Sequence, residues 1–453
     1  MPSAPGEAQC AAMSGETSDT GGTNGAGGTS DTGGTNGASG AGARPYDLVL
    51  YGATGFTGRL VAQKLAAATR PGGLRWALAG RDERKLSSLR AELDRPDLGL
   101  VTVDAMGPEV ATLAKSARVV ASTVGPYMKY GHALVAACAE HGTDYCDLTG
   151  EPQFMRACID ACHGVAKKSG ARLVHAVGFD SIPSDLGVLC LADLSRRTRG
   201  KGLARARLYI ERAKGGASGG TVASMLHVAD ELAREPSLRR LLGDPYSLSP
   251  DRAHDLDLDG RDATGPSYDG AWGGFVAPFF MGPVNTRVVR RSNALAGFAY
   301  GRGFRYDEVM AFPKSPAGLA RAVGTAAATL GGVLALAIPK TRALVAGRLP
   351  KPGEGPTRER RERGYLRARV LGWVEGDADA RPTLECLIEG KGDPGYELTS
   401  VMMAQAALAL AEDERLPGLE GGVLTPATAL GLPLVERLRR AGLSFEARER
   451  HEP

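Results

Sequence analysis

The sequence predicts an α/β fold, in which a doubly wound parallel sheet is followed by a second, α+β domain. From Tyr46 onward, short β-rich apolar runs alternate with helical periodicity, as a parallel sheet with crossover helices requires. One such run, DLVLY, passes straight into GATGFTG and then into a helix beginning near Arg59, the strand–turn–helix opening of a Rossmann-type dinucleotide-binding unit. The chain has 453 residues, more than the roughly 250 to 300 at which one hydrophobic core stops growing.

Residues 1–43 stand apart. SDTGGTNGAGGT is nearly repeated by SDTGGTNGASGA, and so polar a stretch cannot bury enough apolar surface to offset the entropy of ordering it. We expect a disordered tail. Strands follow at 47–51, 75–79, 100–103, 118–123, 144–147 and 172–176, placing a dinucleotide-binding domain at 44–200. GFDSIPSDLG, after the sixth strand, opens a helix with Ser184 or Asp185 as its cap. Residues 201–453 read as the second domain: a strand at 204–212, a Gly-rich turn at 215–220 leading into a helix, and a strand pair at 365–375 and 381–390. That pair alternates apolar and polar residues as a half-exposed antiparallel sheet does.

The chemistry is expected along the carboxyl ends of the parallel strands, where open α/β sheets bind ligands. Gly52, Ala53, Thr54, Gly55, Phe56, Thr57 and Gly58 form the first loop, spaced G-x-x-G-x-x-G. Its glycines let backbone approach a pyrophosphate, and the helix start supplies free N–H groups. The second strand ends Ala79-Gly80-Arg81. An acid there would take the ribose 2′-OH, whereas Arg81 offers a planar fork for a 2′-phosphate and Arg59 stands close in sequence to assist, so NADP(H) is favoured over NAD. Thr123, Val124, Gly125 and Pro126 follow the fourth strand, where the nicotinamide half should pass. Tyr127 comes next and is a candidate proton donor, with Lys129, Tyr130 and His132 close behind. Glu151 after the fifth strand and Asp180 after the sixth open on the same rim, each able to donate a proton, orient substrate or cap a helix.

Other classes fit poorly. A net charge of +4 from 55 basic and 51 acidic residues does not make a nucleic-acid surface. Seven scattered cysteines suit a reducing compartment, and no basic-then-apolar leader opens the chain, so a cytoplasmic location is expected. Cys158, Cys162 and His163 lack a second pair to complete a metal site. Residues 322–338 are uncharged between Arg321 and Lys340 but contain three glycines. A buried helix, or one in peripheral contact with a membrane or lipid surface, suits them better than a span.

The motifs YGATGFTGRLVA, WALAGR, TVGPY, GTDYCDLTGEP, GFDSIPSDLG, SGGT, GFRYDE, PGEGP and DPGYELTS together resemble the saccharopine dehydrogenase-like NADP-binding oxidoreductases, and within them the trans-acting enoyl reductases. The resemblance spans about residues 45–445. It implies a Rossmann domain followed by an α+β domain, NADPH as reductant, and an acyl or polyketide enoyl thioester substrate presented by a partner synthase or carrier protein. Two alternatives stay open: a C=N oxidoreductase of amino acids, with Arg287, Arg290 and Arg291 gripping carboxylates, and a non-catalytic lipid-associated protein that keeps a vestigial nucleotide fold.

Overall fold

A computed structural model describes residues 44–215, 219–250, 255, 262–338, 340–341, 353–376 and 381–450; the repeat stretch 1–43 lies outside the described residues. The strands are β1 (Tyr46–Tyr51), β2 (Trp76–Gly80), β3 (Gly99–Thr102), β4 (Ala117–Ser122), β5 (Asp144–Asp147), β6 (Arg172–Val174), β7 (Leu203–Lys214), β8 (Ser267–Asp269), β9 (Gly274–Pro278), β10 (Arg305–Phe312), β11 (Tyr365–Val374), β12 (Leu384–Lys391), β13 (Gly422–Leu424) and β14 (Leu443–Glu449). The helices that bear on the site are α1 (Phe56–Ala68), α2 (Tyr127–Tyr130), α3 (Pro152–Ser169), α4 (Ile182–Arg199), α5 (Gly219–Arg234), α6 (Gly282–Leu295), α7 (Pro316–Ala337) and α8 (Thr399–Glu412).

Two seven-stranded sheets result. The first runs β13-β6-β5-β4-β1-β2-β3, with its strand pairs parallel. Its strands are apolar on both faces because helices cover both: Leu48 and Leu50 of β1 enter one core with Leu65 and Met402, while Val49 and Tyr51 enter another with Leu134 and Phe154. The chain moves outward from β1 to β2 and β3, then returns to β4 on β1's other side. The crevice for a ligand therefore lies between the ends of β1 and β4.

The second sheet runs β14-β12-β11-β7-β10-β9-β8, with only the β10–β7 pair parallel. Leu366, Ala368 and Val370 of β11 face the core, while Arg367 and Arg369 alternate outward onto Glu211 of β7. Helix α4 packs on β11, β12 and β14, filling the space the alternation leaves apolar.

Three local expectations are corrected. The late segment does not all stay with the second sheet: β13 pairs with β6, and the buried α8 packs on α1 and β4 of the first sheet. Neither Ser184 nor Asp185 caps α4; Ser181 holds the cap position without a side-chain bond, and the other two are buried in the first turn. Helix α7 is not buried, since Leu330 and Val333 expose 60% and 61% of their surface. Its apolar character does not serve the described core.

Candidate active site

The loop after β1 is shaped by contact with β4. Gly52 has φ +82°, a conformation glycine takes without penalty, and a Cβ there would stand 2.7 Å from Thr123 Oγ1 and from Val124 Cγ2. A Cβ on Gly58 would meet the Gly52 carbonyl oxygen at 2.1 Å, so only glycine lets α1 start so close to the turn. Gly55 is the N-cap and brings no capping side chain, and α1 has no acid in its first turn. Its first-turn amides are thus free of a capping side chain and of a competing carboxylate. This cradle suits a dinucleotide pyrophosphate.

The other loop residues divide between support and contact. Ala53 is buried, its N–H bonded to the Ala79 carbonyl at 3.1 Å. Thr54 lies beside Gly80 at the end of β2, and Thr57 sits in the first turn of α1. The Phe56 ring meets Tyr396 edge-on at 5.2 Å, with the Arg361 guanidinium 5.6 Å from its centre. Gly355 lies so close that a Cβ would touch the Phe56 ring, so residues carried by the second half of the chain lie against the loop. Arg59, at the start of α1, is ion-paired with Glu92. Arg81 is exposed and has no ion-pair partner among the described residues, so its guanidinium fork is unoccupied there.

The β4 rim is held by hydrogen bonds. The Thr123 hydroxyl donates toward the carbonyls of Tyr51 and Gly52 at 3.2 Å, and Val124 and Gly125 follow, with Gly125–Pro126 a cis peptide. The Tyr127 hydroxyl donates to the Ser122 carbonyl at 3.1 Å and accepts from the Leu148 N–H at 3.2 Å; the side chain is buried. Burial pushes its pKa well above the ordinary phenol value. Its hydroxyl therefore ties the end of β4 to the loop after β5.

Glu151 complements it. Although it stands at the N-cap position of α3, its side chain does not cap that helix. Its carboxylate accepts instead from the N–H groups of Tyr127 at 3.0 Å and Met128 at 2.9 Å, capping α2 from outside. Burial raises its pKa, while these amides and the Ser224 hydroxyl of α5 pull it back. Asp147 does the same between β5 and β6, accepting from the Ala176 N–H at 3.2 Å and meeting His175 Nδ1 at 2.8 Å.

Asp180 differs from all of these. Its carboxylate has no hydrogen-bond or ion-pair partner among the described residues; the side chain is half-buried, and this partial removal from water raises its pKa to about 6. It faces the loop after β5, where a Cβ on Gly150 would lie 3.8 Å from its Oδ2 and 3.3 Å from the Met281 methyl. Phe179 beside it meets Phe279 edge-on at 6.4 Å, so the surroundings are apolar. Next along the chain, Ser181 donates to Asn285, which donates in turn to Glu308 at 2.9 Å. Glu308 also accepts from the Tyr306 hydroxyl, and burial lifts its pKa to about 7. The sequence reading missed Asn285 and Glu308; the DE of GFRYDE is a signal, but only the fold brings it under GFDS.

Several other candidates are spent on structure. Arg287 pairs with Asp262 and the Leu242 carbonyl, Arg290 donates to the carbonyls of Pro245 and Tyr306, and Arg291 to those of Leu248 and Val423. All three are buried, tying loops to α6 rather than offering a carboxylate grip. Lys129 lies over the Tyr130 ring and His132 packs on Phe154. Cys158 and Cys162 are buried thiols, and the His163 Nδ1 accepts from the Val423 N–H.

A glycine cradle at the switch point of a parallel sheet, with an arginine at the end of β2 and an acid on the same rim that have no ion-pair partner among the described residues, is the arrangement of a dinucleotide-dependent oxidoreductase. Residues 48–174 match the family model described as the saccharopine dehydrogenase NADP binding domain. A Mycobacterium tuberculosis protein provisionally named a trans-acting enoyl reductase is 44% identical over 420 residues, covering 89% of this chain and 97% of its own. A trans-acting enoyl reductase of Mycobacterium bovis is 43% identical over 418 residues, covering 88% and 97%. Among solved structures, apo saccharopine dehydrogenase (L-Glu forming) from Saccharomyces cerevisiae aligns over 89% of this chain and 99% of that one, at 14% identity and a TM-score of 0.49. The chain belongs to the saccharopine dehydrogenase-like oxidoreductases, in the branch of the trans-acting enoyl reductases, and its cofactor is NADP(H).

Proposed function

We propose that this protein reduces the carbon–carbon double bond of an enoyl thioester, fatty-acyl or polyketide, handed to it by a partner synthase or carrier protein. The observation that carries the reading within the site is Asp180, an acid on the cofactor rim with no partner among the described residues and a pKa raised to about 6. NADPH, held by the loop of Gly52, Gly55 and Gly58 and by Arg81, would supply the hydride that the β-carbon needs. Asp180 supplies the proton that the α-carbon takes up, and solvent restores it, so the double bond gains two electrons and two hydrogens. Gly52, Gly55 and Gly58 shape the pyrophosphate seat, Arg81 meets the 2′-phosphate, and Tyr127 with Glu151 keeps the β4 rim in place. Phe179, Phe279 and Met281 give the half-buried acid an apolar neighbourhood that suits an acyl chain.

The names of the relatives support reduction of an enoyl group, and the spent arginines speak against an amino-acid substrate. The test is loss of NADPH absorbance with a panel of enoyl thioesters, free and carrier-bound, beside a panel of 2-oxo acids with amines. Consumption confined to the enoyl panel is expected. Consumption confined to the amine panel would move the enzyme to C=N chemistry, and none with either would remove the reductase reading.

A further inference from the structure

Helix α7 begins on the second sheet and then leaves the body of the protein. Ser315 caps it by accepting from the Gly318 N–H, Ala322 is fully buried, and the helix packs on β9, β10 and α5. From its first turn to its end the helix also carries exposed large apolar residues, Leu319, Val323, Leu330, Val333 and Leu334, the last exposed by 53%. At 100° per residue these five fall within about one third of the helix circumference, so they form a single apolar stripe. From 322 to 338 the helix carries no charge, and at about 1.5 Å per residue its 22 residues reach about 33 Å. By length and composition it could cross a membrane, yet its first turns are docked on protein and its stripe is one-sided.

Charge identifies what covers the stripe. Between Glu308 and Glu354 the sequence has Lys314, Arg321, Lys340, Arg342, Arg348 and Lys351 and no acidic residue, although basic and acidic residues nearly balance over the whole chain. A protein face paired with a second copy of itself would set these cations against one another. An exposed apolar stripe within a stretch of sequence whose only charged residues are basic has the composition of a segment that lies in an anionic lipid interface, with apolar side chains entering the acyl boundary. We infer that α7 docks the protein on an anionic membrane surface through Leu319, Val323, Leu330, Val333 and Leu334.

The position gives the docking a purpose. Helix α5, on which α7 packs, also holds Ser224 beside Gly125 and against Glu151, so the lipid-facing helix is one element away from the candidate active site. The inference does not depend on which double bond the enzyme reduces.

The full-length protein is floated with vesicles of phosphatidylcholine alone or of phosphatidylcholine with phosphatidylglycerol. It should rise with the anionic vesicles, about tenfold more than with the neutral ones at low salt, and lose that excess in high salt. The triple variant Leu330→Glu, Val333→Glu, Leu334→Glu should stay at the bottom with both, while binding NADPH as before and melting within a few degrees of the parent. Wild type that ignores both vesicles, or a triple variant that still floats, overturns the inference. So does a wild-type dimer in solution that the triple variant breaks in the absence of vesicle binding, which would make the stripe a protein interface. Marked loss of thermal stability in the variant without vesicle binding by the parent would mean that the chain itself covers the stripe, and would overturn it too.

Discussion

The loops after β5 and β6 each place a carboxylate on one rim of the first sheet, and the two have opposite fates. Glu151 is buried and its oxygens are occupied by the amides of Tyr127 and Met128. Asp180, one strand away, has no such partner among the described residues. Residue type and position on the rim do not separate a brace from a reactive acid. What separates them is whether the carboxylate's hydrogen-bonding capacity is already used: Glu151 braces the rim through the Tyr127 and Met128 amides, and the proposed role of Asp180 as proton donor rests on its lack of such partners among the described residues.

The largest expected difference between the two lies in turnover. Asp180→Asn should lower kcat by about 100- to 10,000-fold, the usual worth of a general acid, while leaving NADPH affinity and melting temperature nearly unchanged. Glu151→Gln should keep kcat within a few-fold but lose about 1 to 3 kcal/mol of stability, because an amide can accept at only one of its two termini. If Glu151→Gln destroys turnover in a protein that melts normally, the comparison is reversed.

Glu308 sharpens the contrast from beneath. Its pKa is raised from 4.5 to about 7, so the folded state holds its proton more tightly than the unfolded chain does. The stability this gives is fully present below about pH 4.5 and is lost as the pH rises through about 7, a change of order 3 kcal/mol. Glu308→Gln should flatten that part of the stability curve in urea titrations across the range; an unchanged slope would mean the group is not held protonated. The smallest effect belongs to the cofactor end. Arg81→Ala should raise the KM for NADPH by about tenfold and leave that for NADH unaltered, as expected for one charged contact to the 2′-phosphate. Equal loss with both cofactors would take Arg81 off that phosphate.

Much of this was open to sequence reasoning because it is local. A strand, a glycine turn and a helix in succession announce the β1–α1 unit, and the alternation in β11 gives away a one-sided sheet. Tertiary pairing was not legible. β13 is three residues long and carries no signal that it will lie beside β6, some 250 positions earlier. Arg59 stands near the loop in sequence, but its bond to Glu92 depends on how α1 lies against its neighbouring helix. The same holds for Arg287, Arg290 and Arg291, whose pattern suggests anion binding until the fold shows them donating to backbone carbonyls or pairing with Asp262. Hydropathy marked α7 as apolar, but could not say whether protein would cover it.

The role of Asp180 is tested most directly by the pH dependence of single-turnover reduction of a carrier-bound enoyl thioester, comparing the parent enzyme with Asp180→Asn. The parent should hold a plateau at low pH and fall tenfold per unit above about pH 6, where the acid gives up its proton, and the variant should be slow and flat across that range. A variant that keeps both the parent's rate and its falling limb would show that the proton comes from elsewhere.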